Sequence, residues 1–234
     1  MVRYLKDLLE EICCDVAADF SGWEYKKGAF RKPIPNGEML IDGGFSFTKT
    51  DTPIRPGVQI EHKPSMKLFK KIVGYWHPSS FLTFDAVADF SGKFKKEWNN
   101  AAIVLDKSTL LSSAPNAERL SHKFIDVSDA QTVIRCMLED GLDMLSNYFV
   151  TASEDELLLN LPPKYLPKFS HDSPPGLRGS LGIAACIAHI YAGDFEFLNW
   201  YASEDCKTVV PKRTAELEKI FSALPELEKE YKIR

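Results

Sequence analysis

The sequence predicts an α+β protein, with an N-terminal helix and an antiparallel or mixed sheet packed against a C-terminal helical layer. Three observations carry this expectation. Residues 23–62 hold successive runs of alternating apolar and polar side chains separated by turn signals. Residues 2–18 repeat apolar side chains at helical spacing, and from Ser128 onward the apolar period is helical, with Ser-x-x-Gln and Ser-x-x-Glu capping boxes at Ser128 and Ser153.

The first element spans about Val2 to Ala18. Leu5, Leu8, Leu9, Ile12 and Val16 form its apolar stripe, and Ser21-Gly22 stops it. An aromatic-rich run through Trp23, Tyr25 and Phe30 follows as a strand. Pro33 to Gly37 is a turn in which Asn36-Gly37 supplies positive φ angles. The next strand places Met39, Ile41, Gly43, Phe45 and Phe47 on one face and Leu40, Asp42, Gly44, Ser46 and Thr48 on the other, half-buried. Gly43-Gly44 suggests a bulge or a close approach by another segment, with the bulge preferred. A loop at Pro53 and Pro56 leads to a third strand in which Val58, Ile60 and His62 face inward, giving a meander.

Pro64 opens a short helix, Ser65 to Val73, with Met66, Phe69 and Ile72 inward and Lys67, Lys70 and Lys71 outward, ended by Gly74. Phe81 to Asp85 and Ala101 to Leu105 read as strands, and residues 112–116 as a loop. A helix runs from Ser128 towards Phe149, and a short one from Ser153 to Pro162. Leu177 to Tyr191 is apolar around its whole circumference and is expected to be buried on most sides. Gly193-Asp194 stops that helix and caps the next, Phe195 to Ala202, making a helical hairpin. Pro211 to Ala223 and Pro225 to Tyr231 close the chain as two amphipathic segments. The expected organisation is one compact domain, with residues 1–127 as a helix-plus-sheet region and 128–234 as a helical region.

At 234 residues, 44% hydrophobic and 26% charged, the chain can bury a sizeable core. A formal net charge of −4 argues against nucleic-acid binding, which favours a basic footprint. No apolar run has membrane-spanning length, and the charged start has no secretory pattern. Five cysteines, two of them among apolar helical residues, suit reduced thiols in a cytosol, and cytoplasmic localisation is the expectation.

No motif specifies a reaction. The histidines His62, His77, His122, His171 and His189 show no metal-ligand spacing, and His189 on the apolar helix reads as a satisfied core residue. Cys13-Cys14 diverge on a helix and read as packing. Gly176-x-x-Gly179-x-x-Gly182 lacks the leading strand of a phosphate cradle and reads as close helix packing. One constellation stands out. Glu24, Asp42, Glu61 and Asp85 each sit one residue out of phase with apolar neighbours and would share the polar side of the sheet. The simplest reading is a solvated face interleaved with Lys26 and Lys63. The functional one is an acidic docking surface for a basic protein, and a site for a hard cation ranks below both. Tyr75 and Trp76 are candidate aromatic anchors, with core packing as the plainer alternative.

The run from Phe20-Ser21-Gly22-Trp23 through Lys27-Gly28-Ala29-Phe30-Arg31-Lys32, followed by Gly44-Phe45-Ser46-Phe47, resembles small bacterial proteins in which an N-terminal helix leads into a Lys-Gly-x-Phe-Arg strand and a sheet. Ile187-Ala188 through Ala192-Gly193-Asp194-Phe195 resembles the helical hairpin that closes such chains. Some of these proteins resemble immunity proteins of polymorphic toxin or contact-dependent inhibition systems. The resemblance covers about the first third and a short tract near the end, and residues 74–127 lie outside it. It implies a cytosolic, non-catalytic protein that binds a cognate toxin tightly and blocks it. It carries no catalytic residues and no cofactor. Two alternatives stand beside it: a hydrolase using His62 or His77 with a nearby carboxylate, and an oligomeric scaffold.

Overall fold

The computed structural model describes residues 4–75, 101–112, 116, 121–160, 179–209 and 213–232. The chain is α+β, with helix α1 (Leu5–Ala18) followed by strands β1 (Glu24–Lys26), β2 (Ala29–Ile34), β3 (Gly37–Asp42), β4 (Asp51–Pro53) and β5 (Gly57–His62). Helix α2 (Lys63–Val73) follows directly. Beyond it come β6 (Ala102–Val104), α3 (Lys107–Ser112), β7 (Phe124–Asp126) and α4 (Ala130–Tyr148). The remaining elements are α5 (Glu154–Leu159), α6 (Gly179–Tyr191), α7 (Phe195–Ala202), α8 (Glu204–Val209) and α9 (Ala215–Tyr231). The chain divides into two compact units, one of Met1–Ile34, Glu38–Ile60 and Phe84–Asn147, the other of Pro35–Gly37, Glu61–Thr83 and Tyr148–Arg234.

The first unit is built on short strands. Its main sheet has the order β1-β2-β3-β5, the meander expected from sequence. The aromatic-rich run is a hairpin rather than one strand. Lys27 at φ 54° and Gly28 at φ 81° form its two-residue turn, both in the left-handed region that such a turn demands. The hairpin sets Tyr25 opposite Phe30, with ring centroids 5.1 Å apart edge to face. At the next turn Asn36 takes the positive φ, 59°, and Gly37 does not. A Cβ on Gly37 would lie 2.1 Å from the carbonyl oxygen of Glu61, so glycine is there for close approach.

Strand β3 is shorter than its alternation suggests and ends at Asp42. Leu40 and Ile41 are both buried, so both faces of the strand are covered and it is not half-buried. Gly43-Gly44 marks the close approach, the second of the two expectations for this pair. Gly44 turns at φ 60° with its Cα against Arg55, where a Cβ would stand 2.1 Å from the carbonyl oxygen. The Arg55 N–H donates to the Gly43 carbonyl at 2.9 Å. Strand β5 follows expectation, with Val58 and Ile60 fully buried.

Pro53, read as loop, ends an additional strand. β4 pairs antiparallel with β6, Pro53 opposite Ala102, and β6 pairs parallel with β7. In the order β4-β6-β7 the proline lies on an edge strand, where its missing N–H costs no central ladder bond. Ala101 to Leu105 was a strand expectation, and β6 meets it. Asp126 accepts from the Ser128 N–H and caps a 3₁₀ turn that leads into α4, so Ser128 is not itself the cap. Gly141 lets α4 approach the sheet closely, since a Cβ there would come within 2.8 Å of the Ile41 side chain.

The second unit is helical. α2 buries Ser65, Leu68, Phe69 and Val73. That face is turned about one residue from the expected one, because Leu68 joins it while Met66 and Ile72 are half-buried. Residues 182–190 of α6 are buried without interruption, as its apolar circumference requires. Gly193 at φ 67° reverses the chain, and the Asp194 carboxylate caps α7 by accepting from the Phe197 N–H at 3.1 Å. α9 packs against α2, α6 and α7. It is one continuous helix with Pro225 inside it, where two segments were expected. Leu217, Ile220, Leu224 and Leu227 keep one buried stripe across the proline, so burial outweighs the ladder bond it removes.

Candidate functional site

The strongest polar constellation among the described residues surrounds His62, in the second unit. His62 occupies the cap position of α2 in extended backbone, φ −108° and ψ 104°, and is fully buried. Its Nδ1 lies 2.6 Å from the Ser65 hydroxyl and its Nε2 2.8 Å from the Glu154 carboxylate. The other Glu154 oxygen accepts from the Asn36 amide at 2.5 Å, and the Asn36 carbonyl accepts from the Lys63 N–H at 2.9 Å. Ser153 caps α5 by accepting from the Glu156 N–H, the capping box read from sequence, and this fixes Glu154 in the first helical turn.

An ionised carboxylate only accepts, so the Nε2–H donates to Glu154 and Ser65 O–H donates to Nδ1. The neutral imidazole is thereby satisfied on both sides. Burial lowers the His62 pKa below its ordinary 6.5, opposed by the hydrogen bond and charge of Glu154. Hydroxyl, imidazole and carboxylate in a line are the parts of a proton relay. Here Ser65 and His62 both have no exposed surface, so the hydroxyl cannot meet a solvent-borne substrate in this conformation. His62 and Ser65 stand at the cap and third helical positions of α2, but their bond joins the two side chains and the imidazole makes no cap bond to the helix backbone.

His189 makes a second such pair. Its Nδ1 lies 3.0 Å from Asp194 and its ring stacks on Phe197 at 3.8 Å. It is a core residue, as read from sequence, but only half satisfied: among the described residues its buried Nε2 has no hydrogen-bond partner. Burial lowers its pKa as well.

Of the sequence candidates, Glu24 and Asp42 belong to the first unit and Glu61 and Tyr75 to the second; Trp76, Asp85 and His77 lie outside the described residues. Glu24 is exposed, 3.6 Å from Lys26, and stands opposite Arg31, whose guanidinium pairs with Glu38 at 2.8 Å. Its surroundings are therefore of mixed sign. The Asp42 carboxylate is half-buried and accepts from the Gly44 N–H at 2.7 Å, closing the turn. Glu61 is half-buried, the second-last residue of β5. Among the described residues no three His, Cys, Asp or Glu converge as metal ligands.

Tyr75 is 43% exposed and held on three sides. Its ring meets Phe69 edge to face at 6.1 Å, its hydroxyl donates to Glu216, and Lys219 Nζ lies 5.6 Å from the ring centroid. The Lys219 ammonium in turn donates to the Val73 carbonyl at 2.7 Å. A cleft of about 520 Å³ in the first unit is lined by Tyr4, Leu5, Lys6, Asp7, Phe47, Thr48 and Lys49, and contains no histidine.

These features define an α+β protein with a closed histidine network and a pinned surface tyrosine. Comparison of the chain with protein-family models, curated proteins and solved structures gives no match. No helix of the described residues is long and apolar enough to cross a membrane.

Proposed function

We propose that this chain is a non-catalytic protein-binding protein, and specifically a bacterial immunity protein that neutralises a cognate toxin by tight binding in the cytoplasm. The observation that carries the reading is Tyr75. An aromatic side chain exposed to 43% yet fixed by Phe69, Glu216 and Lys219 loses little rotamer freedom when a partner covers it. The sequence resemblance at residues 20–32, 44–47 and 187–195 supplies the kind of partner. On this reading the network at His62 has a structural role, tying the start of α2 to α5 within the second unit.

The test is recovery of a partner from the native host with the tagged chain, followed by titration of that partner against Tyr75→Ala. A stoichiometric partner whose toxicity the chain suppresses, bound more weakly by about 2 kcal/mol or more in the variant, is the expected result. Recovery of the chain alone, or unchanged affinity in the variant, overturns the proposal.

A further inference from the structure

The face of α2 opposite its core carries charge of one sign. Its eleven residues, Lys-Pro-Ser-Met-Lys-Leu-Phe-Lys-Lys-Ile-Val, include no acid, and Ser65, Leu68, Phe69 and Val73 take the buried side. Lys63, Lys67, Lys70 and Lys71 are all exposed. Lys71 is matched by Glu230 of α9 at 2.8 Å. Among the described residues no ion pair involves Lys63 or Lys67.

This arrangement works against the helix that bears it. Lys63 is the first helical residue, at the end where the aligned peptide dipoles already present positive charge, and no acid lies in the first turn. Lys63 with Lys67, and Lys67 with Lys71, are like charges one turn apart, a spacing that destabilises a helix. Negative charge laid along the face would relieve all of these contacts together.

We propose that the lysine face of α2 is a docking surface for an acidic segment of a partner protein. From Lys63 to Lys71 the helix rises about 12 Å, the reach of roughly four residues of extended chain. Alternate carboxylates of such a segment meet Lys63 and Lys67. A nucleic acid fits less well, because the lysine face runs for only about 12 Å along one helix, too short for the run of phosphate contacts on which nucleic-acid binding depends. The sign is opposite to the acidic docking surface expected from sequence. The inference goes beyond the reading above, because it concerns side chains that reading does not use, and the partner's recovery can succeed where the following test fails.

The full chain is titrated by fluorescence anisotropy against a labelled octaglutamate peptide and, in parallel, a labelled thymidine octanucleotide. Saturable binding of the peptide at low ionic strength is expected, weakened at least about tenfold by Lys63→Glu with Lys67→Glu and by a lesser factor in the doubly Gln-substituted chain. The Glu variant is expected to melt no lower than the parent, since it removes the unfavourable charges. Absence of peptide binding, equal binding by the parent and the Glu variant, or tighter binding of the oligonucleotide overturns the proposal.

Discussion

His62 and His189 both favour the neutral form in the folded chain. Each native pKa lies below 6.5, so between that native value and 6.5 the unfolded chain binds more protons than the folded one. Stability therefore rises with pH through this window and is lost as pH falls from 6.5. Denaturant midpoints measured over a pH series should decline on acidification below 6.5, and His189→Gln should reduce the slope. A midpoint independent of pH across this range would contradict the burial assigned to both rings. Gly44 makes a second prediction at this scale. Gly44→Ala places a β-carbon in the left-handed region and 2.1 Å from the Arg55 carbonyl oxygen, and should cost about 2 kcal/mol or more, read as a lower denaturant midpoint.

At the scale of elements, α7 depends on a cation outside it. The Arg213 guanidinium donates to the carbonyls of Tyr201, Ala202 and Ser203 at 2.8, 3.1 and 2.7 Å and lies 5.1 Å from the Phe221 ring centroid. It satisfies the C-terminal carbonyls and opposes the negative end of the helix. Arg213→Met should destabilise the chain by roughly 2–3 kcal/mol in denaturant unfolding, since the carbonyls lose a charged donor. Elements whose ends are chemical signals were legible in the sequence. Ser153 caps α5, Gly193-Asp194 turns the α6–α7 hairpin, and Gly74 ends α2, because each acts on neighbours within four residues. Pro225 misled the reading because its effect depends on the stripe Leu217, Ile220, Leu224 and Leu227 being buried across it, which is a tertiary fact. The Lys27-Gly28 turn was hidden because lysine seldom takes positive φ. The candidate site was legible in one half only. Tyr75 is visible as an aromatic beside a helix stop, whereas Glu154 lies 92 residues from His62 and nothing local announces their meeting.

At the scale of the whole molecule, all five cysteines are free, and their surroundings differ sharply. Burial pushes the Cys13 thiol up to about 12 and raises Cys186 and Cys206 as well. Cys14 is the exposed one, although partial burial and the nearby Asp15 and Glu10 raise it too. A thiol-reactive chromophore should therefore label Cys14 fastest in the native chain, with the half-buried Cys136 slower, the fastest phase should vanish in Cys14→Ser, and all five thiols should react after unfolding. Fast labelling of Cys13, Cys186 or Cys206 would show that the core around that thiol opens readily.

The pairing of Lys71 with Glu230 joins residues 159 positions apart. A ribosome adding about 5–20 residues per second needs roughly 10 to 30 seconds to cross that interval. Throughout it Leu68, Phe69 and Val73 have been made and α9 has not. The second unit thus completes its core late in synthesis. The oily side of α2 is on offer to chaperones for that time, while its lysine side keeps the nascent helix in water.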